Sequence, residues 1–270
     1  MLQYLQCKTI HKGCIHVKII GSDYDGTLNH NGIDDAKREA IHEWRKAGNV
    51  FALVSGRHVN SVRDLHIQQD FPCDYFVGSN GAVILDANNN VVHADECDPD
   101  MLVPLIEYLY ELGCSVGLVH SVDFFDVFPE NLDISSLKRD HSPVSYTLDT
   151  IPKIPYYTQV STWRPTLEEA AEVSAKVREK FGQYFNPMQN GLNIDIVRAD
   201  VNKAKGLYKL MELVGASYDD VITVGDNVND YDMIKEFKSY AMESGVQSIK
   251  DLADFTIPGV AELIHRELNT

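Results

Sequence analysis

The sequence contains no cysteine pair spaced for metal binding and no long apolar run. Its five cysteines, at positions 7, 14, 73, 97 and 114, form no CxxC pair and no cluster with histidine, which argues against a zinc site. Their odd number, in a chain of 270 residues, is typical of reduced thiols in a cytoplasmic protein. No apolar run reaches the roughly 18–20 residues of a membrane helix, and the N-terminal stretch MLQYLQCKTIHKGC lacks the pattern of a secretory signal. We therefore expect a cytoplasmic protein.

Positive charge is also scarce. The chain has 24 Lys and Arg residues against 40 Asp and Glu residues, which gives a formal net charge of −16. Such a surface repels polyanions, so the charge argues against nucleic acid and against an anionic membrane as partners. A small anionic substrate stays compatible with this charge, because the local field of a site can oppose the global one. The oligomeric state stays open, with a monomer favoured.

Short apolar runs alternate with stretches of helical periodicity, which predicts a parallel sheet covered by helices. The opening third predicts strands at 17–21, 50–54 and 75–77, with helices from 34 to about 47 and over 60–68. The last third returns to this style, with a strand at 194–197, a helix at 203–214 and a strand at 221–224. We therefore predict an α/β fold with a Rossmann-like parallel-sheet core.

The middle of the chain has a different pattern. The runs 82–85 and 91–94 flank three asparagines, which is a hairpin signal. Further patterns predict helices at 98–113 and 166–181, strands at 115–119 and 124–128, and a loop over 129–155. This α+β segment predicts a domain inserted into the first, with a core formed by 1–84 and 191–270 and an insert over 85–190.

The strongest chemical signal is the segment Asp23-Tyr-Asp25-Gly-Thr27, which directly follows the first apolar run. Ligands of open α/β sheets bind beyond the carboxyl ends of the strands, so a site is expected here. Gly26 permits a tight turn on which two carboxylates can face one bound group, and Mg²⁺ prefers such hard oxygen ligands. The alternative is a polar turn with an Asp helix cap.

A second acidic loop, Gly225-Asp-Asn-Val-Asn-Asp230, follows the predicted strand 221–224. Asp226 and Asp230 could hold a metal ion or its waters. Carboxylates that meet at the sheet edge repel one another unless a cation lies among them. The alternative is a turn that is simply rich in Asn and Asp.

Two weaker signals suit a phosphate group. Ser55 and Gly56 follow the second strand and offer a hydroxyl and backbone N–H groups, although an ordinary strand-to-helix turn has the same look. Arg57 could form a structural ion pair or contact a ligand. Lys203 stands at a predicted helix start, where a cation is unfavourable unless an anion is near. Lys205 competes for this role, and either lysine could be a solvated surface residue.

Taken in order, DYDGT, the serine of VSGR, Lys203 and GDNVND resemble the four motifs of the haloacid dehalogenase-like superfamily. The large insert and the segment Gly78-Ser-Asn-Gly-Ala82 before it resemble the Cof-like phosphatases with a type IIB cap. Two departures concern loop detail. The chain has Met242-Glu-Ser-Gly245 where the family often has Met-Gly-Asn-Ala, and Ala204 follows the lysine in place of the common glycine.

The resemblance implies a Mg²⁺-dependent phosphatase that works through an aspartyl phosphate. Asp23 would be the nucleophile and a metal ligand, and Asp25 the general acid and base, with its backbone carbonyl on the metal. The other implied roles are metal binding by Asp226 and Asp230 and phosphate binding by Ser55, Gly56, Lys203 and Asn229.

The implied substrate is a small phosphorylated metabolite, such as a sugar phosphate, and the insert is expected to act as a lid that selects it. A phosphomutase or phosphotransferase is the alternative, because the same aspartyl phosphate can pass to a sugar hydroxyl. A non-catalytic binding protein ranks third, because no catalytic carboxylate is missing. Residues of the insert that could face a ligand, or equally belong to core or surface, are His120, Tyr156, Tyr157, Trp163 and Arg164.

Overall fold

The structure is a computed structural model, which describes residues 17–69, 71–114, 118–122, 127–129, 144–146 and 156–270. Within these ranges the chain forms two β-sheets with helices packed against them. No helix in the described part of the chain combines the length and apolar character needed to cross a bilayer.

The strands are numbered in chain order through the described residues. They are β1 Ile19–Asp23, β2 Val50–Val54, β3 Tyr75–Gly78, β4 Val83–Asp86, β5 Val91–Ala94, β6 Leu118–His120, β7 Val127–Pro129, β8 Val144–Tyr146, β9 Gln159–Trp163, β10 Phe185–Asn190, β11 Asn193–Arg198, β12 Val221–Gly225, β13 Lys238–Met242 and β14 Phe255–Ile257. The helices are α1 Asp35–Lys46, α2 Val59–Gln69, α3 Leu102–Glu111, α4 Leu167–Phe181, α5 Lys203–Val214, α6 Tyr231–Glu236, α7 Gln247–Lys250 and α8 Val260–Leu268.

The first sheet has eight strands in the order β14-β13-β12-β1-β2-β3-β4-β5. The six strands from β14 to β3 run parallel, and β4 and β5 add an antiparallel hairpin at one edge. β1 pairs with β2 on one side and β12 on the other. The polar loops that follow these three strands therefore meet at one edge of the sheet.

Helices cover both faces of this sheet, as parallel strands require. Along β2, Phe51 and Leu53 pack in an apolar cluster with α1, α2 and α8, whereas Ala52 and Val54 pack in a second cluster with α5, α6 and α7. Burial on both faces explains why the run Val50–Val54 is apolar throughout rather than alternating. The predicted α/β fold with a parallel sheet is confirmed.

The second sheet has six strands in the order β10-β11-β9-β6-β7-β8. It has its own apolar core, in which Leu105 and Leu109 of α3 and Val173 and Val177 of α4 pack with Val160 of β9. The side chain of Thr166 caps α4 by accepting a hydrogen bond from the backbone N–H of Glu169 at 3.2 Å, as the capping-box pattern predicts.

The chain passes from one sheet to the other at positions that differ from the ends of the expected insert, 85–190. The hairpin β4–β5 pairs within the first sheet, so the chain leaves that sheet after Ala94. The strand expected at 194–197 is the central part of β11, which pairs with β10 and β9 in the second sheet. The sheet to which a strand belongs depends on the strands that it pairs with, and the apolar pattern of a strand does not specify those partners.

Several element bounds also differ from the expected ones. β1 begins two residues later than the expected 17–21, so Asp23 is its last residue. Strands β6 and β7 lie at the ends of the expected strands 115–119 and 124–128, of which 115–117 and 124–126 lie outside the described residues. The expected loop 129–155 contains strand β8, and the rest of its interior lies outside the described residues.

Candidate active site

The turn after β1 brings the first acidic motif against the second. Gly26 has φ +83°, in the left-handed region that favours glycine. A Cβ atom at this position would lie 2.4 Å from Oδ2 of Asp226, which is closer than any real contact. The hydroxyl of Thr27 donates a hydrogen bond to Oδ1 of Asp226 at 2.8 Å. Gly26 is therefore required for the close approach of the two loops.

Lys203 joins the two acidic loops through its ammonium group. Its Nζ atom donates hydrogen bonds to Oδ1 of Asp23 at 2.6 Å and to Oδ1 of Asp230 at 2.5 Å. All three side chains are buried, with residue exposures of 4% for Asp23 and 0% for Lys203 and Asp230. Burial opposes the charge on Lys203, but the two carboxylates outweigh burial and raise the pKa of this lysine.

Lys205, the competing lysine, lies elsewhere. It lines a separate surface cavity with Asp95, Tyr208 and others. Asn202 caps α5 by accepting a hydrogen bond from the backbone N–H of Lys205 at 2.9 Å, so the helix begins at Lys203. The lysine that points inward is thus Lys203, the first residue of the helix. The anion that makes a lysine acceptable at a helix N-terminus is the Asp23–Asp230 pair.

Asp230 is held in place by the backbone of its own loop. Its Oδ2 atom accepts hydrogen bonds from the backbone N–H groups of Asp226 at 2.9 Å and Asn227 at 3.1 Å. One oxygen of this carboxylate therefore organises the loop, while the other accepts from Lys203. Asp230 therefore joins its own loop to Lys203, whereas the carboxylate of Asp226 lies beside Gly26.

Asp23, Asp226 and Asp230 fit a divalent metal ion. One carboxylate oxygen from each lies within 4.8 Å of the others. Burial raises the pKa of Asp23, with a further contribution from the charge of Asp230, and burial also raises the pKa of Asp226. Two buried carboxylates and the half-buried Asp226 beside one ammonium group leave an excess of negative charge, which a hard divalent cation would neutralise. The side chain of Asp25 is not in this group.

The carboxylate of Asp25 instead binds Arg57. The guanidinium donates from Nε to Oδ2 at 2.6 Å and from Nη2 to Oδ1 at 2.7 Å, a two-pronged contact that also raises the pKa of Arg57. Arg57 stacks near the ring of Tyr24, with 5.5 Å between Cζ and the ring centroid. The ion pair lies at the cavity wall, with the two side chains about half exposed. The sequence was compatible with an ion pair or a ligand contact for Arg57, and the structure shows the ion pair.

The remaining predicted phosphate-binding residues line the same space. Ser55 is buried, and its hydroxyl accepts a hydrogen bond from the backbone N–H of Arg57 at 3.2 Å. The carbonyl of Gly56 accepts from the side-chain amides of Asn80 and Gln159, each at 3.4 Å. Asn229 lies across the cavity on the second acidic loop.

These residues surround a cavity of about 350 Å³. One wall is the loop edge of the first sheet, and the other consists of residues from β6, β9, β10 and β11 of the second sheet. His58 and His120 stack across this boundary, with 4.3 Å between ring centroids. The cavity is lined by Asp23, Asp25, Ser55, Gly56, Arg57, His58, Leu118, His120, Gln159, Ser161, Asn190, Asn193, Asp195, Asn227 and Asn229.

Of the five residues considered for the ligand side of the insert, His120 lines this cavity. Tyr157 is buried and donates to the carbonyl of Asp98 at 3.0 Å, Arg164 pairs with Glu169, and Trp163 is exposed at 41%. Tyr156 is also absent from the described cavity wall.

Sequence reasoning missed Gln159, Ser161 and Asp195, which line the cavity from β9 and β11. The sequence signal for these residues is the alternation of polar and apolar residues along each strand. Ile194 and Ile196 pack in the core of the second sheet, so Asp195 between them points to the opposite face. The polar residues Gln159 and Ser161 flank the buried Val160 in the same way.

The comparison with known proteins agrees with this site. The sequence profile of a family described as haloacid dehalogenase-like hydrolase matches residues 20–262. Because the match spans most of the chain, the chain belongs to the haloacid dehalogenase-like hydrolases. The enzyme class expected from the four motifs is confirmed at this level.

Two curated Bacillus subtilis (strain 168) proteins are similar over nearly their whole length. One is named "Putative phosphatase YxeH" and is 26% identical, with 92% of this chain and 97% of that protein covered. The other is named 5-amino-6-(5-phospho-D-ribitylamino)uracil phosphatase YcsE and is 25% identical, with 92% of each covered.

Solved structures show the same fold. A haloacid dehalogenase-like hydrolase from Bacillus subtilis has a TM-score of 0.78 at 19% identity, with 92% of this chain and 99% of that chain covered. A sugar phosphatase described as HAD subclass IIB, BT4131, has a TM-score of 0.75 at 15% identity, with 94% and 100% covered. The resemblance to the superfamily is confirmed by the family match, and the chain shares the fold of a type IIB member.

Proposed function

We propose that this enzyme is a Mg²⁺-dependent phosphatase that hydrolyses small phosphorylated metabolites, such as sugar phosphates, through an aspartyl phosphate on Asp23. The observation that carries the proposal is the buried contact of Lys203 with Asp23 and Asp230 beside Asp226, at the inner end of the cavity. The names of the two Bacillus subtilis relatives support the phosphatase activity.

The first chemical step is attack by the Asp23 carboxylate on phosphorus. A phosphate ester is anionic and repels an anionic nucleophile, so the site must first neutralise charge. Lys203 supplies one positive charge within hydrogen-bond distance of Asp23. Ser55, Gly56 and Asn229 surround the space that the phosphoryl group would occupy. The bond from phosphorus to Asp23 forms as the bond to the leaving oxygen breaks.

Asp25 is proposed as the general acid and base. It would protonate the leaving oxygen and then accept a proton from the water that hydrolyses the aspartyl phosphate. Arg57 holds its carboxylate at the cavity wall, two residues along the chain from the nucleophile. A carboxyl oxygen that carries a proton cannot accept from the guanidinium in the same way, so each proton transfer requires one of the two Arg57 contacts to loosen.

A divalent ion would be held by Asp23, Asp226 and Asp230, with the backbone carbonyl of Asp25 as a further proposed ligand. When bound, Mg²⁺ neutralises charge on the phosphoryl oxygens and helps to orient them. The three carboxylates provide the hard oxygen ligands that this ion prefers.

The segment that carries the second sheet is proposed as the cap. We propose bounds of 95–198 for this cap in place of the expected 85–190, because β5 pairs in the first sheet and β11 in the second. We also propose a monomeric, cytoplasmic enzyme that does not act on nucleic acid or membranes, because the chain is strongly acidic and its cysteine usage is typical of reduced thiols.

The test of the mechanism is Asp23→Asn, which keeps the shape of the side chain but removes the anionic nucleophile. We expect kcat for p-nitrophenyl phosphate with Mg²⁺ to fall by at least ~10³-fold. Asp34→Asn is a matched control, since Asp34 caps α1 on the surface and Asn caps a helix equally well. Turnover by Asp23→Asn within ~10-fold of the wild type would overturn the mechanism.

The metal requirement is tested by chelation. Activity should vanish in EDTA and return with Mg²⁺, while Ca²⁺ should not restore it, because its larger and looser coordination displaces nucleophile and phosphate. Full turnover after exhaustive chelation would contradict the metal assignment. Isomer formation from a sugar phosphate in excess of phosphate release would favour the phosphomutase alternative.

A further inference from the structure

The end of the cavity away from Asp23 has a different chemical character from the phosphate end. It is formed by the cap strands β6, β9, β10 and β11, whose lining side chains are carboxylate, amide, hydroxyl and imidazole groups together with the apolar Leu118. One of these side chains is Asp195, which is buried and which the proposed mechanism does not use.

Burial raises the pKa of Asp195, and neighbouring hydrogen-bond donors and the charge of His120 oppose this rise. The Oδ1 atom of Asp195 accepts hydrogen bonds from the hydroxyl of Ser161 at 2.7 Å and from the amide of Gln159 at 2.9 Å. Its Oδ2 atom accepts a longer bond from the amide of Asn80 at 3.3 Å. A carboxylate has about four acceptor positions, so Oδ2 retains capacity for a further donor.

A second acceptor in this group lacks a donor. Gln159 lines the cavity, and its Oε1 atom is buried without a hydrogen-bond partner among the described residues. The amide orientation is set by the contact of Nε2 with Asp195, which requires a donor at that atom. A buried acceptor without a donor is costly, so a ligand that supplies one would stabilise this wall.

Few basic groups line this cavity. Among the described lining residues there is no lysine, the single arginine, Arg57, is bound to Asp25, and the other basic side chains are His58 and His120. Asp195 is the one carboxylate among the described cap residues that line the cavity. It disfavours a leaving group that carries a carboxylate or a second phosphate, and it favours one that carries hydrogen-bond donors.

We propose that Asp195, supported by Gln159 and Ser161, is the residue that selects the leaving group, and that the leaving group is a neutral polyhydroxylated carbon chain or ring that donates hydroxyl hydrogen bonds to this acceptor group. The substrate class is thus a polyol or sugar monophosphate without a second anionic group. This inference rests on the proposed phosphatase function and deepens it.

The test uses pairs of substrates that differ in one group. Glucitol 6-phosphate and 6-phosphogluconate share a chain but end in a hydroxymethyl group and a carboxylate, and glycerol 3-phosphate and 3-phosphoglycerate form a shorter pair. The wild type should prefer the neutral member of at least one pair by ~10–100-fold in kcat/KM, as expected when a site built of acceptors meets a donor or an anion.

Asp195→Asn replaces the carboxylate with an amide of the same shape. It should reduce kcat/KM for the preferred neutral substrate by ~10-fold or more and abolish the preference within the pair. The loss on p-nitrophenyl phosphate, whose leaving group has no alcoholic hydroxyl, should be smaller by at least ~3-fold than the loss on the neutral substrate. Asp200→Asn is the matched control, because Asp200 is exposed, pairs with Arg198 and lies outside this cavity.

The outcomes separate this inference from the proposed function. Absence of Mg²⁺-dependent p-nitrophenyl phosphate cleavage by the wild type would overturn both. Cleavage of that ester without preference in either pair would overturn this inference alone. An equal loss on all substrates in Asp195→Asn would show that Asp195 only holds the cap against Asn80, and would also overturn it. If Asp195→Asn does not fold, Ser161→Ala should reduce the preference by ~3–10-fold, and an unchanged preference would contradict the proposal.

Discussion

Replacement of Lys203 by methionine removes the one ammonium group that contacts both Asp23 and Asp230 and keeps most of the side-chain volume. Both carboxylates are buried, so the variant retains two neighbouring anions without their cation. Removing one partner of a buried ion pair costs about 3–5 kcal/mol. At about 2–4 °C per kcal/mol for chains of this size, the midpoint of thermal unfolding in EDTA at pH 7 should fall by roughly 6–20 °C.

The deficit of Lys203→Met should depend on metal and pH. A divalent ion among the three carboxylates replaces part of the lost charge, so Mg²⁺ should raise the midpoint of the variant more than that of the wild type. Burial and Asp230 already raise the pKa of Asp23, and loss of Lys203 removes an opposing effect. A raised folded-state pKa means that the folded form takes up protons, so stability returns as the pH falls and the deficit should shrink from pH 7 towards pH 5.

The assay is calorimetric or spectroscopic melting in EDTA and in Mg²⁺ over this pH range. Lys205→Met is the control, since its ammonium lies on the surface, 5.5 Å from the ring centroid of Tyr208, and its loss should change stability by less than about 0.5 kcal/mol. A Lys203→Met midpoint within roughly 2 °C of the wild type at pH 7 in EDTA would refute the reasoning. So would a deficit that grows as the pH falls.

Two further predictions address the turn after β1 and the C-terminal helix. Gly26→Ala and Gly48→Ala both place a Cβ at positive φ, which costs about 1 kcal/mol, but only the Cβ at position 26 meets Asp226. Only Gly26→Ala should therefore lose activity, by ~10²-fold or more. Equal activity of the two variants would contradict this prediction. Burial raises the pKa of Glu267, but hydrogen bonds from Lys238 and Tyr240 outweigh burial and lower this pKa. The Glu267 carboxylate therefore stabilises the fold above its unfolded pKa, and this stabilisation is lost as the pH falls through its folded pKa. Glu267→Gln should therefore lower stability by about 1–3 kcal/mol at pH 7 in chemical denaturation and by less near pH 4; a loss independent of pH would count against the assignment.

Local sequence patterns were sufficient for the elements that carry the chemistry. The apolar runs that became β1, β2 and β12 each end in a polar motif, and parallel strands place their carboxyl ends at one edge. The contact of Lys203 with Asp23 and Asp230 follows this expectation across 180 residues of chain. Such motifs are readable because each one combines a strand pattern with a loop whose residue types serve a single chemical purpose.

The partners of individual side chains could not be read in this way. Arg57 was compatible with an ion pair or a ligand contact until the structure showed its two bonds to Asp25. The residue types of Trp163 and Arg164 are compatible with ligand contact, yet the cavity wall is formed by smaller polar residues of the same and neighbouring strands. Residue type indicates what a side chain can do, whereas its direction is set by strand register.

The sequence by itself determined most strands, most helices and the four motifs, because hydrophobic period, helix caps and loop composition are local properties. The tertiary structure decided that β11 belongs to the second sheet and that Asp195 therefore faces the cavity beside Gln159 and Ser161. It also decided that Lys203 rather than Lys205 is buried against the acidic loops. These outcomes depend on contacts between segments far apart in the chain, which no local pattern specifies.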